Sequence, residues 1–147
     1  MDKRTRYHLV GLISKSRKVE DAQKAFRQSK RAGKKKPKLI ITDGLQSHKA
    51  AFKSEFHENR FSTRYAINSG FGLNSFIERM QENIREREKT MHGLKRDETP
   101  FVEGCRIYYN FIRPHLGLSG TTPAEMAGVG VNGSWEELLM WSIAGRK

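Results

Sequence analysis

Lys38-Leu39-Ile40-Ile41-Thr42-Asp43-Gly44 is the stretch on which the fold turns. Residues 38–42 form a short, almost continuous apolar run. A strand with one solvated face alternates polar and apolar residues, so a run without alternation predicts a strand buried on both faces, as in a parallel sheet. Asp43-Gly44 ends it. The chain before it, Lys18 to Arg31, reads as a helix whose Val19, Ala22, Ala25 and Phe26 recur at helical spacing and face a core. Gly33 is its stop signal, and Lys34-Lys35-Lys36-Pro37 is a loop. After it, Ser47 to Phe56 predicts a short helix with Ser47 as cap.

Further out, Tyr7 to Ser14 reads as a strand and Arg60 to Ile67 as another, the latter through alternating Phe61, Thr63, Tyr65 and Ile67. Asn68 to Gly72 is a loop. A long helix is expected from about Asn74 to Lys95, with Ile77, Met80, Ile84, Met91 and Leu94 as a narrow apolar stripe between charges. Thr99 can cap a helix through Asn110. Thr122-Pro123-Ala124-Glu125 has the form of a capping box with proline at the first helical position. Ser134 to Ile143 closes the chain as a helix. The order is strand–helix–strand–helix–strand–helices, an α/β pattern with a helical C-terminal half.

Composition narrows the function classes. The chain has 147 residues, 36% hydrophobic and 30% charged, enough for one modest core. No apolar run approaches the roughly 18–20 residues of a membrane span, and the charged first residues lead into no signal-peptide core, so a cytoplasmic protein is expected. Cys105 is the one cysteine, which excludes an internal disulfide and a cysteine zinc cage; it reads as a small buried residue on a helix. Net charge is +12, and residues 1–38 carry 14 Lys+Arg against 3 Asp+Glu. A basic block of that kind attracts polyanions, nucleic acid first among them. A solvated basic surface without a partner has the same composition.

Asp43 stands just past the carboxyl end of a strand, where open α/β sheets place their sites. It is equally a plain Asp-Gly turn residue. Glu78 lies near the start of the long helix, where the helix dipole favours any carboxylate. Taken singly, neither acid declares a function.

Read together, the segments carry a resemblance. Ile40-Ile41-Thr42-Asp43-Gly44-Leu45 resembles the second-aspartate strand of the DDE-type insertion-sequence transposases. Asn74-Ser75-Phe76-Ile77-Glu78-Arg79 resembles their glutamate helix, 34 residues further on. Tyr109-Asn110-Phe111-Ile112-Arg113-Pro114-His115-Leu116-Gly117-Leu118, followed by Gly120-Thr121-Thr122-Pro123-Ala124-Glu125, is similar to the family's closing signature. The three segments occur in order and at matching spacing, and the resemblance covers roughly residues 2–129.

The resemblance implies a ribonuclease H-like (integrase core) domain that cuts and joins DNA with an Asp-Asp-Glu triad. The triad would hold two Mg²⁺ or Mn²⁺ ions about 3.5–4 Å apart, which activate the attacking oxygen and neutralise the leaving one. Asp43 and Glu78 would be two of the three acids and the metal ligands. Arg17, Lys34, Lys35, Lys36, Arg85 and Arg87 would meet DNA.

Asp2 to Tyr7 resembles the hairpin entry to the family's third strand rather than its first. The expectation is therefore an incomplete domain over residues 1–129, lacking the first strands and the first aspartate, with a helical tail over 130–147. Asp2 is not expected to replace the missing acid. Such a chain would be inactive alone, with DNA, an intact transposase or a second copy of itself as partners. The competing expectation is a non-catalytic, salt-sensitive DNA-binding module, or a decayed remnant. Arg113 and His115 read as local packing at a helix end. His48 and His57 read as surface residues that do not pair on a metal.

Overall fold

The computed structural model describes residues 1–14, 16–56, 63–67, 75–92, 100–129, 136 and 140. They fall into two compact units: 12–99, and 1–11 together with 100–147.

The first unit holds α1 (Val19–Gly33), β1 (Leu39–Thr42), α2 (Gln46–Phe56), β2 (Arg64–Ile67) and α3 (Ser75–Thr90). β1 and β2 pair in parallel, with Leu39 opposite Arg64 and Thr42 opposite Ile67. A parallel pair needs a crossover, and α2 supplies it. The expected α/β class holds. Two details of the decisive stretch differ from expectation. β1 is not buried on both faces: Leu39 is 44% exposed, because the described sheet has two strands and does not cover both sides of the run. Gly33 is the last helical residue rather than the stop, and Lys34 takes the left-handed conformation after it (φ +51°).

Burial in this unit is concentrated between helices and sheet. Ala22 of α1 and Ala51 and Phe52 of α2 are buried. Phe26 meets Phe56 edge-on at 5.7 Å between ring centroids, and Phe52 lies 5.0 Å from Tyr65 of β2. Polar clasps flank these contacts: Gln23 Nε2 donates to Ser54 Oγ (2.8 Å), Arg27 Nε to Glu55 Oε1 (2.6 Å) and Lys30 Nζ to the Glu55 carbonyl (2.6 Å). Acids in the first turn of α1 (Glu20, Asp21) and bases in its last (Lys30, Arg31) suit its dipole. On α3, Met80 is buried, while Met91 beyond its end is exposed. α3 stops at Thr90, short of the expected Lys95. Leu94, residues 60–62 of the expected strand, and the loop 68–72 lie outside the described residues.

The second unit holds α4 (Phe101–Ile107), which continues into a π-helical turn (Tyr108–Ile112), then a 3₁₀ turn (Leu116–Leu118) and α5 (Pro123–Met126). Pro100 is the N-cap residue of α4, and the expected cap Thr99 is outside the described residues. Cys105 on α4 is half-buried rather than buried. The capping box of α5 is present as expected: Glu125 N–H donates to Thr122 Oγ1 (3.3 Å) and Thr122 N–H to Glu125 Oε2 (2.6 Å). Of the expected final helix, Glu136 and Met140 are helical and the other residues are not described.

Tyr7 to Ser14 is not a strand. Among the described residues no ladder forms along it, and the amide of Asn110 takes the partner's place: His8 N–H donates to Asn110 Oδ1 (2.8 Å), and Asn110 Nδ2 donates to the His8 carbonyl (2.9 Å). The π-turn makes this possible. Its wider bond, Arg113 N–H to the Tyr108 carbonyl (2.9 Å), turns Tyr109, Asn110 and Phe111 inward together. Asn110 is fully buried, and Phe111 meets Tyr7 edge-on. Arg113 ends the π-turn, and His115 Nε2 donates to the Tyr109 carbonyl (3.3 Å), which is the local packing expected of both.

His8 is itself buried, and its Nδ1 has no hydrogen-bond partner among the described residues. Burial lowers its pKa to about 4, helped by the positive charges of the N-terminal amine and Arg106 and opposed by Glu103. The unfolded chain therefore binds a proton near pH 6.5 that the folded one refuses. This contribution is complete above pH 6.5 and is lost as pH falls towards 4, an effect of about 3 kcal/mol. Denaturant titrations across pH 4–7 should show the loss, and His8→Phe should flatten it.

Candidate functional site

β1 runs straight into Asp43, and Gly44 turns the chain into α2. Gly44 has φ +86°, and a Cβ there would stand 2.8 Å from Ile67 Cγ2. Glycine is thus required both by conformation and by the close approach of β2. The turn leaves the Asp43 side chain at the carboxyl end of β1, 68% exposed. Leu45 N–H donates to its Oδ1 at 3.2 Å, and His48 Nδ1 lies 2.9 Å from the same oxygen. Burial pushes the Asp43 carboxyl up, but the Leu45 N–H and the adjacent His48 outweigh it, and the net pKa is below the usual aspartate range. Asp43 is a carboxylate at neutral pH.

Ser47 is not the cap of α2. It lies inside the helix, which begins at Gln46, and its Oγ is buried without a partner among the described residues. Asp43 Oδ1 instead accepts from the N–H of Leu45, the residue just before the helix. The contact with His48 was not read from the sequence, although the Asp-Gly-x-x-x-His spacing across a tight turn into a helix was the available signal.

Glu78 sits in the first turn of α3 and is exposed. Ser75, Glu78, Arg79, Glu82 and Arg85 line one face of that helix. Asp43 and Glu78 thus occupy a strand end and a helix start within one compact unit. Asp2 is committed elsewhere: its Oδ2 accepts from Thr5 N–H (2.8 Å) and Thr5 Oγ1 (2.6 Å), closing a turn.

The basic residues do not form one cluster along the chain. Arg17 precedes α1, and Lys34, Lys35 and Lys36 follow it, so the 15-residue helix holds them about 22 Å apart. All four are exposed, as are Arg85 and Arg87 on α3. His57 lies outside the described residues.

The family model described as a DDE domain, from the insertion-sequence transposases, matches residues 1–111. The chain belongs to the DDE-type insertion-sequence transposase domain family. The matched span includes Asp43, Glu78 and Asn110; the segment from Ile112 to Glu125 lies beyond it. No curated protein and no solved structure matches the chain. No helix among the described residues is long and apolar enough to cross a membrane.

DDE transposases act on DNA and generally use divalent metals. The donor chemistry of Asp43 suits such an ion: an exposed, ionised carboxylate of hard oxygen atoms. Among the described residues no three His, Cys, Asp or Glu side chains come together as a metal cage. Asp43 and Glu78 are exposed carboxylates, each of the oxygen-donor type that a hard divalent cation accepts.

Proposed function

We propose that this transposase domain serves metal-dependent cleavage and joining of DNA strands on a ribonuclease H-like core, and that Asp43 and Glu78 are its acidic ligands for Mg²⁺ or Mn²⁺. The observation that carries the reading is the placement of Asp43: ionised, exposed and anchored through one oxygen at the carboxyl end of a parallel strand. A bound ion would lower the charge barrier to in-line displacement at phosphate. Asp43 presents an oxygen from a fixed turn. Glu78 presents a carboxylate from a helix start, where the dipole favours negative charge. The third family acid is proposed to come from residues other than the described ones, so that joining needs more than this chain's two carboxylates. Strand joining on pre-cleaved DNA ends, by the chain alone and with a polypeptide carrying the family's first strands, tests this. Joining only in the mixture is expected.

The basic residues would grip the backbone. Lys34, Lys35 and Lys36 precede β1 and Asp43 follows it, so the triplet is proposed to hold phosphates away from the scissile one. Each phosphate contact contributes about −0.9 to the slope of log K against log salt. Reversing the three lysines to glutamate should weaken duplex binding alike across sequences and shallow the salt slope by about 2–3. Titration of a labelled duplex at several salt concentrations checks this; an unchanged slope would remove the triplet from the interface.

A DNA-binding module without chemistry is the second reading, favoured by the net charge of +11 over residues 1–38, from 14 Lys+Arg and 3 Asp+Glu. It predicts salt-sensitive binding and no joining in any mixture.

A further inference from the structure

We propose that His48 is a positioning residue of this site: its Nδ1–H holds the Asp43 carboxylate by Oδ1, so that Oδ2 is the oxygen offered to a divalent cation. The inference rests on the assignment of Asp43 as a metal ligand and adds a residue to it. An exposed aspartate after a strand has several open rotamers, and a ligand that must be ordered at binding binds more weakly. Here both hydrogen bonds, from Leu45 N–H and from His48, fall on Oδ1. Among the described residues none falls on Oδ2. A carboxylate only accepts, so Nδ1 carries the proton, and a protonated ring nitrogen is a donor and not a metal ligand.

His48 is well placed to fix its neighbour. Its own N–H donates to the Leu45 carbonyl (2.9 Å) in the first turn of α2, and its side chain is two-thirds buried. The positive φ of Gly44 closes the chain between the two residues. The pair is thus held by a strand end, a glycine turn and a helix start. Partners that hydrogen-bond a metal-ligating carboxylate orient it, and their loss costs metal affinity without removing a ligand.

The test is the Mn²⁺ affinity of the full chain, read from the resonance of free Mn²⁺, in the wild type, His48→Asn, His48→Leu and Asp43→Ala. Asparagine keeps an N–H donor near the position of Nδ1; leucine matches its size and has none. His48→Leu should bind about tenfold more weakly or worse, and His48→Asn should restore most of the affinity. Wild-type affinity in His48→Leu, with loss in Asp43→Ala, would overturn the positioning role and leave the ligand assignment standing. Asparagine behaving like leucine would also overturn it. Undiminished affinity in Asp43→Ala, or no saturable Mn²⁺ binding by the wild type, would remove the ligand assignment and the inference with it. Ring ¹⁵N shifts provide a second measurement that needs no variant: the Nδ1–H tautomer of His48 is expected, and an Nε2–H tautomer would contradict the proposal.

Discussion

Asp43→Ala and Glu78→Ala will each lower metal-dependent strand joining by about a thousandfold or more, in whatever mixture joins DNA with the wild-type chain. The effect is electrostatic. The attacked phosphate is anionic, and its displacement builds charge on both the entering and leaving oxygens. Neutralising that charge is most of what a protein can contribute to such a step. If two carboxylates of this chain hold the neutralising ion, removing either releases it. Duplex binding should survive, because each substitution removes a negative charge from a chain whose net charge is +12. Joining rates and binding isotherms on the same DNA separate the two effects. A variant that still joins strands at the wild-type rate would take its acid out of the site.

Asn110→Leu will have the largest effect on stability, about 2–4 kcal/mol. Leucine has the branching of asparagine but is larger and carries no polar atom, so overpacking at the fully buried position adds to the loss of the two bonds. The Asn110 amide gives His8 the two bonds that a neighbouring strand would have given, and both are buried. Leucine leaves the His8 N–H and carbonyl without that partner in a place water does not reach readily, and each such group costs about 1–3 kcal/mol. Arg106 Nη1 lies 3.4 Å from the same carbonyl and recovers only a little of it. Asn110→Asp should fall between, since it keeps the acceptor for His8 N–H and loses the donor. Thermal unfolding at neutral pH, with midpoints expected to fall in the order wild type, Asp, Leu, checks this. Equal midpoints would mean that the Tyr7–Gly11 segment is not held by Asn110.

Asn110 also shows why part of the fold was illegible in the sequence. Tyr7 to Ser14 has the residues of a strand, and residue type reports what a segment can pair with, not whether a partner is there. The partner proved to be one side chain, 102 residues away, on a π-turn. No periodicity announces a π-turn. Segments governed by local chemistry read correctly: α1 from its apolar spacing, β1 as a strand from its unbroken apolar run, and the Thr122–Glu125 capping box from four residues. Burial was overread where it depends on neighbours, as at Leu39 and Cys105. At the proposed site, Asp43 and Glu78 were singled out because their segments together resemble a family, although each alone is an ordinary turn or helix-start acid. The Asp43–His48 pair was missed because a histidine five residues on has no fixed geometry until Gly44 takes a positive φ.

The central claim, that Asp43 and Glu78 hold one ion between them, is tested most directly by a double-mutant cycle on divalent metal affinity. The wild type, Asp43→Ala, Glu78→Ala and the double variant are titrated with Mn²⁺ at constant pH and salt. A lone carboxylate in water holds such an ion barely at all. Once one partner is gone, the other has little affinity left to lose. The account predicts a large loss in each single variant and no further loss in the double. Losses that simply multiply, as for independent sites, or a single variant that binds like the wild type, would contradict it.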